Sequence, residues 1–180
     1  MQHRGTQRLE TKRLILRRYE PQDAEDMYRN WAADEENIRF FGFAPHKSAA
    51  ESERQLALQM EGYGRQDYYL WCIENKVDAA AIGFIYLNAI DEAKQSAAVH
   101  YLIGKAYWQQ GFASEALACV LDFCFDAVGF RKIHSHHRAD NAASGCVMQK
   151  CGMRFTKREY LEKSAPQISG EYCFYEISHQ

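Results

Sequence analysis

Three groups of residues in this 180-residue chain could do chemistry. The first is a run of small side chains where a helix must begin. In YWQQGFASEAL, residues 107–117, Gly111 and Ala113 precede an apolar helical pattern. A helix head carries main-chain N–H groups without intrahelical acceptors, together with the positive end of the helix dipole, and both attract an anion. Gly111 and Ala113 leave a phosphate room to approach the main chain. The same residues would also serve a tight turn that packs a helix on a sheet. The second group can move protons. His100, in QSAAVHYLI, could act as a base because imidazole titrates near neutral pH; it could equally be a partly buried strand histidine with a backbone partner. The third group is HSHH, residues 134–137, with Cys119, Cys124, Cys146 and Cys151, a set of metal-ligand types. His134 and His136 share one strand face and His137 takes the other. Five residues turn a helix by about 140°, so the two thiols of each Cys-x4-Cys pair point apart. The set is therefore expected to hold no metal. Cys146 and Cys151 are expected on the core side of their helix.

Other phosphate loops are excluded by string. No Gly-x-x-x-x-Gly-Lys-Ser/Thr and no Gly-x-Gly-x-x-Gly occurs. The formal charge of -2 and the lack of a Lys/Arg block argue against nucleic acid as partner. No apolar run is long enough for a membrane span, and the N-terminus has neither an apolar core nor a cleavage signal. Six cysteines in a chain of this length read as reduced thiols of a cytoplasmic protein. The size suits a single domain over 1–180, with 1–8 loose. An aromatic run, FFGFAPHK, with Trp31, Tyr63, Tyr68 and Tyr69, could wall an acceptor pocket or simply pack. Asp34, Glu35 and Glu36 could attract a cationic amine or form a solvated acidic loop.

These residues need elements to position them. LETKRLILRRY, residues 9–19, alternates as a strand. Pro21 and the acids after it open a helix. Ser48 and Glu51 form a capping box for a second helix, ended by Gly62. YYLWCIENKVDAAAIGFIYLN reads as two strands around a turn at 74–78, and residues 95–103 as a further strand. Ala113, Ala116, Leu117, Val120, Leu121 and Cys124 make one helical stripe that Gly129 ends. RKIHSHHR is a strand; DNAASGCVMQKCG is a short helix capped by Asp140 or Asn141 and ended by Gly152; MRFTKREYL and EYCFYEIS close the chain as a strand pair across SAPQISG. The fold class is α/β, with about seven strands in a mixed, mostly antiparallel sheet and about four helices.

AVHYLIGKAYWQQGFASEAL followed by RKIHSHHRADNAASGCVMQKCGMRF resembles the GNAT superfamily of acetyl-CoA-dependent N-acetyltransferases. The ribosomal-protein N-acetyltransferase branch, of RimJ/RimL type, is the most similar. LETKRLILRRYEPQDAEDMY and KVDAAAIGFIYL resemble its opening strand and helix and its central hairpin, so the likeness runs nearly the length of the chain. The resemblance implies a sheet splayed in the middle, with the pantetheine of acetyl-CoA against Tyr101, Leu102 and Ile103. It implies the pyrophosphate on main-chain N–H groups of Gln109, Gln110, Gly111, Phe112, Ala113 and Ser114, and Asn141 and Ser144 beside the pantetheine and the sulfur. Ser144 then becomes the candidate proton donor to the leaving thiolate; it could equally bond the first turn of its own helix. N–H groups near Leu102 and Ile103 are candidates for stabilising the oxyanion. The sequence departs from the family pattern at Trp108, where Arg or Gln is usual, at Ala98, where an acid is common, at His100, usually Gly, and at Met153, usually Phe. The implied activity is acetyl transfer from acetyl-CoA to a primary amine, either a peptide N-terminus or a small molecule, by a monomer or homodimer without a metal. Without the acid at Ala98, the alternative is a catalytically silent CoA-binding sensor. A zinc or redox domain on the Cys/His set is a further rival.

Overall fold

The computed structural model describes residues 1–163 and 168–179. Eight strands form one sheet: β1 (Leu9–Glu10), β2 (Leu14–Arg17), β3 (Leu70–Asn75), β4 (Ala81–Asp91), β5 (Ser96–Ile103), β6 (Lys132–Arg138), β7 (Arg154–Leu161) and β8 (Gly170–Ser178). Their order is β1-β2-β3-β4-β5-β6-β8-β7, and every neighbouring pair is antiparallel except β5 with β6. Among the described residues there are five α-helices: α1 (Asp23–Met27), α2 (Glu35–Ile38), α3 (Ala49–Glu61), α4 (Phe112–Asp122) and α5 (Ala142–Lys150). Both α1 and α4 run on into a wider turn, over Tyr28–Ala32 and Phe123–Val128. Gly129, in the left-handed region at φ 85°, ends the longer of these. Among the described residues no helix is long and apolar enough to cross a membrane.

Alternation along the central strands sends side chains to two cores. Trp71, Ile73, Ile85, Val99 and Ile103 pack with Ala116, Leu117 and Val120 of α4 on one face. Leu70, Cys72, Phe84, Tyr86 and Leu102 face the helices from α1 to α3, with Met27, Trp31 and Leu56. Period-2 strands between an amphipathic helix on each side give this three-layer arrangement.

The extra strand and helix, relative to the sequence expectation, have local causes. The stretch read as a single strand over 9–19 is a hairpin. The Thr11 Oγ1 accepts from Leu14 N at 2.9 Å and Thr11 N donates to Leu14 O at 3.0 Å, which turns the chain between β1 and β2. The short α2 begins where the Asp34 side chain accepts from Glu36 N at 2.9 Å. The expected capping box at α3 is shifted by one residue. Ser48 is the N-cap but makes no side-chain bond, and the Glu51 carboxylate accepts instead from Lys47 N at 2.7 Å. Residues 1–8, expected to be loose, are tied to the body: Gln2 N donates to Val128 O at 2.8 Å, Thr6 Oγ1 to Tyr68 O at 3.0 Å and Trp71 Nε1 to Gln7 O at 2.6 Å. Those bonds satisfy polar groups along the edge of the aromatic core, a role that hydrophobic periodicity does not reveal.

Candidate active site

The sheet opens at its centre. The strands β5 and β6 pair only over Ser96↔Lys132, Ala97↔Ile133 and Ala98↔His134. Beyond that point they diverge, and each continues on its outer side, β5 along β4 to Ile103 and β6 along β8 to Arg138. The apex is clasped by a side chain: the buried Ser135 Oγ donates to Val99 O at 2.7 Å, so the serine supplies the bond that the next ladder rung would have made. Gly104 N donates to Ile82 O, and antiparallel alternation therefore turns the main-chain groups of Leu102 and His100 toward β4. Those of Tyr101 and Ile103 face the opening. Of the three β5 residues expected to bond a pantetheine, Tyr101 and Ile103 turn their main-chain groups to the opening and Leu102 turns its own to β4. The Ile103 carbonyl is already taken, accepting from Trp108 Nε1 at 2.6 Å. The tryptophan that departs from the family pattern thus fixes the end of β5 to the loop that follows.

A cleft of about 200 Å³ passes through the opening. Its walls include both His100 and Tyr101, whose side chains leave β5 on opposite faces. On the α5 side, the Tyr101 hydroxyl donates to Ser144 O at 2.9 Å and meets Ser144 Oγ at 3.0 Å. Burial pushes the Tyr101 phenol up, partly offset by its bond to Ser144, so the hydroxyl keeps its proton. Asn141 is the N-cap residue of α5, makes no side-chain capping bond and lines the same cleft. Close packing holds α5 there: a Cβ on Gly145 would lie 2.6 Å from His137 Nε2.

On the other side of the sheet His100 stacks on Tyr86 at 5.1 Å, meets the edge of His136 at 5.3 Å, and contacts Asn88 Oδ1 at 3.2 Å. Its partners are side chains, not the backbone. Burial, then the neighbouring His136, His134 and Lys163 charges, lowers the His100 imidazole to about 4. His136 falls to about 4 as well, through burial and then Lys163, His134 and His137. Both rings are neutral at pH 7, and His100 has a lone pair to offer a proton. The aromatic wall is only partly the one expected. Phe40 and Phe41 line the cleft, but Trp31 packs in the core against Phe84 at 6.3 Å, and Tyr63 bonds Tyr19 N. The other rings of the wall, Tyr86, His136 and Tyr172, come from separate strands.

The helix head is open to an anion. Gly111, the N-cap of α4, has φ 81°, and Gln109 before it is also left-handed at φ 60°. The first helical bond runs from Glu115 N to Gly111 O at 3.1 Å, so the N–H groups ahead of it in the first turn have no intrahelical acceptor. A Cβ on Gly111 would meet only Arg13 Nη2, at 3.5 Å. Phe112 sends its ring into the core, Ala113 is half-buried, and the Ser114 carbonyl accepts from Cys151 Sγ at 3.3 Å. These contacts leave the main-chain N–H groups of the turn on the outer side. Arg13 was not foreseen. Its Nε donates to Glu115 Oε2 at 2.7 Å, its Nη1 to the Gln110 carbonyl at 2.9 Å, and its guanidinium lies 4.4 Å from the Phe112 ring centre. Glu115 also accepts from Thr11 Oγ1 at 2.5 Å and Arg13 N at 2.9 Å, clamping the β1–β2 hairpin to the helix head. Burial opposes ionisation of Glu115, but these bonds together hold its carboxyl below the usual range. Nothing in the spacing of residues 13 and 111 signals the pairing.

The metal-ligand types stay apart. Among the described residues no three His, Cys, Asp or Glu groups converge, and the six cysteines are free thiols. Cys146, expected on the core side of its helix, is exposed; Cys151 is half-buried against α4. Gly145 and Met148 are the buried residues of α5 instead. Of the acidic run, Glu36 pairs with Lys105 and Asp34 caps α2.

Residues 13–154 match the family model described as an acetyltransferase (GNAT) domain. A curated relative, the uncharacterized N-acetyltransferase YoaA of Bacillus subtilis (strain 168), is 31% identical over 146 residues, covering 81% of this chain and 82% of that one. A solved structure of a putative ribosomal-protein-serine acetyltransferase from Vibrio cholerae superposes with a TM-score of 0.82 at 17% identity, covering 98% of this chain and 99% of that one. RimL, a ribosomal alpha-N-protein acetyltransferase in complex with coenzyme A, superposes with a TM-score of 0.82 at 15% identity, covering 96% of this chain and 98% of that one. With its splayed sheet, its open helix head and this match over most of its length, the chain belongs to the GNAT acetyltransferase family.

Proposed function

We propose that the chain is an N-acetyltransferase of the RimJ/RimL type, moving an acetyl group from acetyl-CoA to a primary amine by direct attack. The observation that carries this reading is the cleft through the sheet, which gives a thioester and an amine access to one point from opposite faces. The residues present fit the donor. The diphosphate is received by the N–H groups from Gln109 to Ser114, with Arg13 adding a cation beside Gly111. The pantetheine runs along the outward-turned groups of Tyr101 and the N–H of Ile103, past Asn141. The amine enters on the His100 side. Its nitrogen attacks the thioester carbon, the negative charge gathers on the carbonyl oxygen, and the C–S bond breaks as the oxyanion collapses. The proton lost by the amine passes to the neutral His100 imidazole or to water, and the Ser144 hydroxyl, turned from the Tyr101 phenol, gives its proton to the thiolate and regains one from water. Main-chain N–H groups facing the opening stabilise the oxyanion; one such donor is typically worth about 3 kcal/mol. Ala98, buried at the apex, supplies no carboxylate, so orientation of the two substrates carries much of the rate, on the order of 7 kcal/mol or more.

The test is release of free CoA thiol from acetyl-CoA with pooled small amines and N-terminal peptides, followed by mass analysis of the acetylated species. Thiol release with an acetylated amine is expected. Saturable acetyl-CoA binding with no thiol released across the panel would replace the enzyme by a silent CoA-binding module.

A further inference from the structure

The acceptor side of the cleft has an uncompensated charge. Its rings are Phe40, Phe41, Tyr86 and Tyr172, with the neutral imidazoles of His100 and His136 between them. Among the described residues that line it there is no Asp or Glu. Two cations line it, Arg138 and Lys163. Arg138 is gripped by Asp140 through two bonds, at 3.0 and 2.6 Å. Lys163 is half-buried, its Nζ is 5.4 Å from the Tyr172 ring centre, and no carboxylate among the described residues lies within ion-pairing distance of it. The four residues between Lys163 and Ile168 in sequence are Ser, Ala, Pro and Gln, none of them acidic. Glu35 lines a neighbouring hollow on the far side of Phe40 and Arg138. An amine whose only charge is its ammonium would therefore meet positive charge and aromatic faces without a counter-ion.

We infer that the acceptor is a small primary amine carrying its own carboxylate beside a flat apolar body, as an aromatic amino acid does, and that Lys163 pairs with that carboxylate. The inference rests on the acetyltransferase reading of this cleft and names the substrate class for it. The body lies among Phe40, Phe41, Tyr86 and Tyr172, the carboxylate cancels the Lys163 charge, and the amine is left toward His100. A charge-assisted bond in a partly desolvated site is roughly twice as strong as a neutral one, so the carboxylate becomes the selective feature. Burial, and to a smaller extent the Lys163 charge, lowers both imidazoles beside the amine.

The experiment compares kcat/KM for CoA-thiol release with phenylalanine, phenylalaninamide and 2-phenylethylamine, which differ only at the carboxylate. The unaltered protein is expected to prefer phenylalanine over its amide by about tenfold or more. Lys163→Gln should bring that ratio to about one, and Lys163→Arg should keep most of it. An amide used as well as the acid, a ratio indifferent to Lys163→Gln, or a preference for peptide N-termini over every free amino acid would overturn the inference. Equilibrium binding of N-acetylphenylalanine and its carboxamide to the CoA-loaded protein gives a readout without turnover. A carboxylate preference abolished by Lys163→Gln supports the inference even if no thiol is released, an outcome that would count against the enzyme alone. Equal binding of the two overturns it.

Discussion

At the scale of single residues the pair Tyr101–Ser144 is the informative one. The phenol has one hydrogen and gives it to the Ser144 carbonyl at 2.9 Å. At rest it then accepts from the Ser144 hydroxyl at the 3.0 Å contact, and the Ser144 hydrogen turns from the phenol to the thiolate for the transfer. The two hydroxyls form one proton-carrying unit rather than a serine acting alone. Removing either member should cost about as much as removing both, because groups that act as a unit are not additive. Ser144→Ala and Tyr101→Phe are each expected to lower kcat by about ten- to a hundredfold. The acetyl-CoA KM should stay within about twofold. The double variant should fall little further. Steady-state kinetics of the three variants checks this; two full, multiplicative losses would separate the roles. An unchanged rate for Ser144→Ala would leave the serine a structural contact of α5.

At the scale of elements, the opening and the helix head are each held by a specific local device. The sheet separates after Ala98 and His134, and Ser135 caps the Val99 carbonyl where the ladder stops. Ser135→Ala leaves a buried carbonyl without that donor and is expected to cost about 1–3 kcal/mol in a denaturant titration. A loss under about 0.5 kcal/mol would mean that the clasp is dispensable. At the head of α4 the left-handed Gly111 keeps side-chain bulk and charge away from the N–H groups. Gly111→Glu adds a strained backbone and a like charge, and calorimetry should find acetyl-CoA binding weakened by far more than about tenfold. Retained affinity would place the diphosphate elsewhere. The capping box expected at α3 illustrates how far a local signal reaches. Ser48 and Glu51 did mark the helix start, but Ser48 makes no side-chain capping bond and the Glu51 carboxylate bonds Lys47 N.

For the molecule as a whole, the buried histidines couple stability to pH. His100 and His136 each fall from the ordinary 6.5 to about 4 on folding, chiefly by burial. Between those limits the unfolded chain binds more protons than the folded one, so stability falls as pH drops. The contribution is fully present above about 6.5 and is lost progressively as pH falls toward about 4. Chemical denaturation at pH 7.5 and pH 5 should therefore show the lower stability at pH 5. Replacing His100 by Asn, which does not titrate, should reduce the difference. A stability unchanged between the two conditions would mean that both rings are solvated in the folded state.

The sequence by itself determined the α/β class, the alternation of strand and helix from residue 70 onward, and the small-residue turn at Gly111. Each is written in contiguous residues: period-2 and period-3.6 apolar patterns, a glycine after a helix, a glycine before one. It also carried the family likeness through motifs within single segments. Only the tertiary structure decided which groups meet across the chain. Leu102 turns its main chain to β4, Arg13 reaches the head of α4, Trp108 takes the Ile103 carbonyl, and Lys163 faces a cleft without acids. Segment periodicity fixes which face a side chain takes but not where two strands part, nor which distant charge is left without a partner; those depend on how the elements pack.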